Sequence, residues 1–137
     1  MTINGALAGL VAITAEPLMP SAGLASIIGF VGGLVVVLSV VALDRLRIDD
    51  PVGAISVHGT AGIWGIFAVL FSNSDATFTG QLIGTLATFA WMFGVSFIVL
   101  LVINKIVKLR VSDEEEQEGM DISECGMTAY PEFTPDK

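Results

Sequence analysis

Uncharged positions come in long blocks along this chain. No Asp, Glu, Lys or Arg occurs from Pro17 to Leu43, from Pro51 to Ser74, or from Ala76 to Asn104. Each block is at least as long as the ~20 apolar residues that cross a hydrocarbon core about 30 Å thick. A shorter apolar run, Ile3 to Thr14, precedes them. The pattern predicts four helical segments, at about 3–14, 22–43, 53–71 and 78–107. The first is short for a complete span and reads as the later part of a helix whose beginning lies outside it. The fourth is longer than one span needs, which predicts tilt or projection into water. Polar and proline punctuation falls between the segments, at Glu16-Pro17 with Pro20, at Asp49-Asp50-Pro51, and at Ser72-Asn73-Ser74-Asp75. The expected fold class is therefore all-α: a polytopic helical membrane protein with a membrane body over 1–110 and a tail over 111–137.

Composition agrees with this division. The 137 residues are 53% hydrophobic and 15% charged, against about a quarter charged in an ordinary soluble domain. The formal net charge of −8 sits entirely in the tail. Up to Arg110, five acids balance five bases, and beyond it nine acids face one base. An acidic tail argues against nucleic acid and against anionic lipid surfaces as partners. The single cysteine, Cys125, makes no intrachain disulfide and no metal site by itself. The start, Met1-Thr2-Ile3-Asn4, lacks the basic region of a secretory signal.

The bases also orient the chain. Arg45 and Arg47 follow the second segment, and Lys105, Lys108 and Arg110 follow the fourth. These two places are two crossings apart and share one side of the membrane. The opposite connectors, 15–21 and 72–77, carry no Lys or Arg. The positive-inside rule then predicts that 44–52 and the tail are cytoplasmic, with Glu16 and Asp75 outside. Small residues recur at helix-contact spacing, as Gly5/Gly9, Gly29/Gly33, Gly80/Gly84 and the triplet Gly59, Gly62, Gly65. Such spacing lets backbones approach closely in lipid and predicts a tightly packed helical body. Four segments are too few to bury all of these faces, so partner helices are expected from elsewhere.

The only histidine, His58, lies inside the third apolar segment, between its cytoplasmic end and the middle. An ionisable residue at that depth is costly and points to a pathway, a relay or a ligand site. A structural histidine bonded to a neighbouring helix is the alternative. Ala54, His58 and Gly62 are spaced four apart and share a helix face with little side-chain bulk. A neutral imidazole donates at one nitrogen and accepts at the other, which suits a small neutral molecule such as water or ammonia. No second His, Cys or carboxylate shares that face to make a metal site. Asp49, Asp50 and Pro51 read first as a helix cap and cytoplasmic turn, with a cation vestibule as the functional alternative. The aromatics Trp64, Phe67, Phe71, Phe89, Trp91, Phe93 and Phe97 read as packing or lipid-facing residues rather than a gate. In the tail, Ser112-Asp113-Glu114-Glu115 has the form of a capping box and predicts a short acidic helix to about Gly119. Beyond it the composition fits a solvated end, or a segment that docks through Met120, Ile122, Met127 and Tyr130.

Three stretches together carry a resemblance: NGALAGLVAIT (4–14), RIDDPVGAISVHGTAGIWG (47–65) and EGMDISECGMTAYPEF (118–133). They resemble the C-terminal third of the Amt/Mep/Rh ammonium transporter family, in order and with matching spacing over nearly the whole chain. The resemblance implies the last four helices of an eleven-helix transporter with a cytoplasmic C-terminus in the plasma membrane, assembled as a homotrimer. It implies ammonium and ammonia as substrates, and no cofactor. His58 matches the second of the family's two pore-lining histidines, Ala54 an apolar pore-wall position one turn earlier, and Leu7 and Thr14 the helix that also borders the pore. The tail, with Gly119, Asp121 and Tyr130, resembles the family's cytoplasmic regulatory segment, which in many prokaryotes works alongside a PII-type signalling protein. The family's first histidine, aromatic gate and vestibule come from helices not represented here, so the chain is expected to be a fragment that supplies one wall of the pore and is inactive alone. Cys125 stands where many relatives carry histidine. A non-transporting membrane subunit that binds or regulates full-length subunits is the alternative. No nucleophile–base pair or metal cluster supports an enzyme.

Overall fold

The computed structural model describes residues 1–133, and it is helical, with no strand among them. Residues 134–137 of the expected tail lie outside the described residues. The chain divides into two compact units, Met1–Ala90 and Trp91–Lys137.

The first unit is built on three helical segments. Helix α1 spans Thr2–Ile13, helix α2 spans Ala22–Arg45, and helix α3 spans Ala61–Ala68. A π-helical turn, Ile55–Thr60, leads into α3, and a 3₁₀ turn, Val69–Phe71, ends it. The third segment is not a uniform α-helix. Helix α1 ends where Thr14 folds back, its backbone N–H and its hydroxyl both donating to the Val11 carbonyl at 3.1 and 2.7 Å. Helix α2 begins at Ser21, whose hydroxyl oxygen accepts from Leu24 N–H at 3.3 Å. At ~1.5 Å per residue α2 is about 36 Å long, enough for a hydrocarbon core.

Residues three or four apart, most of them small, form the contact. Ala8 and Ala12 of α1, Ile28, Gly32 and Val36 of α2, and Val57, Ala61, Gly65 and Ala68 of the third segment are the buried stripes. Two of the predicted glycine pairs face each other across the antiparallel α1–α2 crossing. A Cβ on Gly9 would lie 3.1 Å from the Gly29 carbonyl oxygen, and one on Gly33 would lie 3.4 Å from that of Gly5. Backbone-to-backbone packing of this kind is how helices associate in lipid, where burial of apolar surface supplies no net drive. The third pair, Gly80/Gly84, has no such facing backbone within 4 Å among the described residues.

Polar ties brace the same bundle. Ser39 and Thr60 hydroxyls pair at 2.8 Å, and the Trp64 indole N–H donates to the Ile28 carbonyl at 3.0 Å. At one end Glu16 accepts from Asn73 Nδ2 at 2.7 Å and from the Ser72 hydroxyl at 3.4 Å. At the other, Asn4 Nδ2 donates to Val52 O at 3.4 Å.

Helix α4, Phe78–Ile106, crosses the boundary between the units, and none of its residues is buried. It is long and apolar enough to cross a membrane, as is α2. The second unit also carries two short helices, α5 (Asp113–Glu118) and α6 (Met120–Cys125), and a 3₁₀ turn at Pro131–Phe133. The capping box expected at Ser112 is present: the Ser112 hydroxyl accepts from Glu115 N–H at 3.3 Å, and Glu115 Oε2 accepts from Ser112 N–H at 2.8 Å. Helix α6 was not expected. It closes at Gly126, whose left-handed backbone (φ +68°) ends the helix as glycine readily does.

Candidate functional site

The third segment begins at a connector with a demanding backbone. Arg47 and Gly53 both take positive φ, at 57° and 76°. At Gly53 the positive φ strains any residue with a Cβ, and a Cβ there would also displace the Asn4 amide. Between these two residues Asp50 turns its carboxylate onto the start of the helix. Oδ1 accepts from Ile55 N–H at 3.0 Å, and Oδ2 accepts from both the N–H and the hydroxyl of Ser56, at 3.0 and 2.9 Å. Of the predicted cap residues, Asp50 is the one that reaches the helix; Asp49 and Pro51 are exposed in the turn. Partial desolvation works to raise the Asp50 pKa, but the hydrogen bonds from Ile55, Ser56 and Ala54 outweigh it and hold the carboxyl below its ordinary value.

The turn that follows is π-helical: Ala61 N–H donates to Ser56 O, five residues back. Ser56 is fully buried and Val57 is 3% exposed, packed with Ala8, Val36 and Ala61. His58 and Gly59 are exposed, Thr60 is half-buried, and Ala61 is fully buried again. The imidazole therefore stands on the side of the helix that faces away from α1 and α2. Ala54, Ile55 and Ile63 are exposed on that segment too. Of the face predicted from four-residue spacing, Ala54 and His58 share this exposure, while Gly62 is half-buried, with Val11 3.8 Å from where its Cβ would be. The extra residue in the π turn is the physical reason the simple spacing does not carry through to Gly62.

Leu7 of α1 and Thr14 at its C-cap are both exposed, and seven residues apart they fall on one side, away from the buried Ala8 and Ala12. The Thr14 proton is engaged with Val11 O, so its hydroxyl is left to act as an acceptor. In the second unit, Gly119 (φ +100°) separates α5 from α6, and Asp121 Oδ2 accepts from Ala129 N–H at 2.6 Å, tying the segment before Tyr130 back to α6. Tyr130 and Cys125 are exposed. One guanidinium nitrogen of Arg110 bridges both Glu116 oxygens, at 3.0 and 2.8 Å.

Sequence reasoning missed the π turn and the Ser39–Thr60 pair. The signal for the pair was available: two hydroxyl residues inside apolar runs, each needing a partner in lipid. No group of three or more metal-ligating side chains occurs among the described residues.

Comparison with known proteins supplies the family context. The model of the Ammonium Transporter Family matches residues 1–130. The chain is 37% identical to the ammonium transporter Amt2 of Archaeoglobus fulgidus over 97% of its own length and 33% of that protein's. It is 40% identical to the ammonium transporter Amt1 of Haloferax mediterranei, covering 95% of this chain and 26% of that protein. With the ammonium transporter of Bacillus subtilis the identity is 34%, over 93% and 36% respectively. The chain thus spans about a quarter to a third of the length of the curated relatives it matches.

Proposed function

This chain belongs to the ammonium transporter family, and we propose that it forms one wall of a membrane pore for ammonia, with His58 on the pore side. The observation that carries the reading is the position of His58. It is the one histidine of the chain, it lies in an apolar helix, and it is exposed opposite the stripe that packs against α1 and α2. An imidazole turned toward lipid would be costly, whereas one lining a passage is a usual arrangement for an intramembrane ionisable residue.

The chemistry follows from what can cross. Ammonium carries a charge that would cost at least ~3 kcal/mol at the bilayer centre on insertion scales. Transfer of one proton from ammonium to water at the mouth removes that charge penalty and leaves ammonia, which both donates and accepts hydrogen bonds. The neutral imidazole of His58 can meet it in either sense. Ala54 keeps the neighbouring wall apolar and narrow, and Leu7 and the exposed face of α1 extend it, with Thr14 at the far end. The open side of this face calls for further helices to complete the pore, so the chain by itself supplies an incomplete path. The reading extends to an eleven-helix subunit, a homotrimer in the plasma membrane, and a cytoplasmic tail that meets a PII-type signalling protein. Family resemblance supports these extensions, and the clustering of Arg45, Arg47, Lys105, Lys108 and Arg110 supports the orientation.

The test is uptake of methylammonium in cells lacking their own ammonium transport, with the helices that complete the pore supplied together with this chain. His58→Ala is expected to reduce uptake by about 10-fold, the equivalent of one strong hydrogen bond to the permeating molecule. Unchanged uptake would remove His58 from the pore. No uptake by the completed protein, together with altered uptake by a co-expressed full-length transporter, would favour a non-transporting regulatory subunit instead.

A further inference from the structure

We propose that Asp50 is a positioning residue for His58: it holds the first turn of the π-helical segment and so sets the direction of the imidazole. The inference rests on the reading of His58 as a pore residue. Its physical basis is the way the turn is anchored on both sides of the ring.

A π turn is rare and short, because its i→i+5 bonds stretch the helix around one extra residue. Something outside the turn has to hold it open. On the N-terminal side Asp50 does so through three bonds to two consecutive residues, Ile55 and Ser56. Bonds to an ionised carboxylate are among the stronger kind. Ser56 is fully buried, and the Asp50 carboxylate satisfies its hydroxyl. Val57 is then fixed by packing between Ala8 and Val36. On the C-terminal side Thr60 is held by the Ser39 hydroxyl at 2.8 Å, and Ala61 is fully buried. His58 and Gly59 bridge these two fixed points. Release of the first point lets the extra residue pass along the helix, and the ring then turns about the helix axis while the apolar packing of α3 stays in place. Asp50 touches neither the ring nor the passage. Its effect reaches the imidazole only through the backbone.

The experiment is a double-mutant cycle on uptake in the completed transporter, normalised to the amount of protein in the membrane. Asp50→Asn keeps the size of the side chain and loses the second acceptor. It is expected to reduce methylammonium uptake by several-fold, up to the about 10-fold expected for His58→Ala, because it acts only by misplacing that ring. In the His58→Ala background the same change is expected to add less than about 2-fold, since the two residues act as one unit. Full additivity, or no effect of Asp50→Asn alone, overturns the positioning role while leaving the pore reading intact. Unchanged uptake in His58→Ala overturns the pore reading itself. Where His58→Ala leaves too little uptake to measure, the carbethoxylation rate of His58, read by mass spectrometry of its peptide, decides: a several-fold change in Asp50→Asn supports positioning, and an unchanged rate overturns it. Should Asp50→Asn fail to accumulate, Ser56→Ala takes its place in the same cycle and the same readout.

Discussion

Gly65 and Gly62 stand three residues apart in one helix, yet their surroundings differ. A Cβ on Gly65 would come within 2.5 Å of the Ala12 carbonyl oxygen and 2.9 Å of the Ala12 Cα, both backbone atoms that a rotamer change cannot move. A Cβ on Gly62 would meet only Val11 Cγ1, at 3.8 Å, which is ordinary contact. Replacement of an interior helix glycine by alanine gains about 1 kcal/mol in propensity. Gly62→Ala is therefore expected to be neutral or mildly stabilising. Gly65→Ala must push α1 away and is expected to destabilise the bundle by about 1–3 kcal/mol, the usual size of an overpacking defect. Unfolding of the detergent-solubilised protein in increasing dodecyl sulfate separates the two variants, and equal behaviour would mean that the close approach at Ala12 is not what holds α1 to α3. The residue scale also marks a limit of pattern reading. The triplet of glycines read as one contact face, but Gly59 is exposed and Gly62 half-buried, and only three-dimensional register says that Gly65 alone makes the close approach.

At the scale of elements, the long apolar runs were legible because span length is a compositional property: α2 and α4 end within two residues of the expected limits. The π turn was not legible. It depends on anchors distant in sequence, such as Thr60 on Ser39 and Val57 between Ala8 and Val36, which no local periodicity records. Helix α5 shows the opposite case, since its whole start is encoded in Ser112 and Glu115. Hydrogen bonds from the N–H and the hydroxyl of Ser112, opposed by slight desolvation and aided by Lys108, hold the Glu115 carboxyl below its ordinary value of 4.5. A depressed folded-state pKa means that the capping box contributes fully above about pH 4.5 and is lost as pH falls through the folded-state value. The tail helix is thus expected to keep its helical amide shifts from neutral pH down to that region and to fray below it. Ser112→Ala should shift the Glu115 titration back toward 4.5 and weaken the helix already at neutral pH. Nuclear magnetic resonance of residues 112–118 across the titration checks both. A Glu115 midpoint unmoved by Ser112→Ala would show that the box does not form in solution.

For the whole molecule, the decisive property is which side of the membrane each polar segment occupies. Five of the six bases cluster at or just beyond the C-terminal ends of α2 and α4, while Glu16, Ser72 and Asn73 tie together two connectors without any base. Basic residues are retained on the cytoplasmic side during insertion, so 44–52 and the tail should be reached from inside and the 72–77 connector from outside. That placement would leave the Asp50 clamp at the cytoplasmic end of the helix that carries His58 and the Glu16–Asn73 tie at the outer end. The tail carries its own reporter, because Cys125 is the only cysteine of the chain and is exposed. A membrane-impermeant maleimide is expected to modify the Cys125 peptide in inside-out vesicles and to leave it untouched in intact cells. Asp75→Cys, placed in a Cys125→Ser background, should show the reverse. Modification of Cys125 from the outside of sealed cells would invert the whole arrangement. His58 would then lie nearer the outer mouth, and the acidic tail would be out of reach of any cytoplasmic signalling partner.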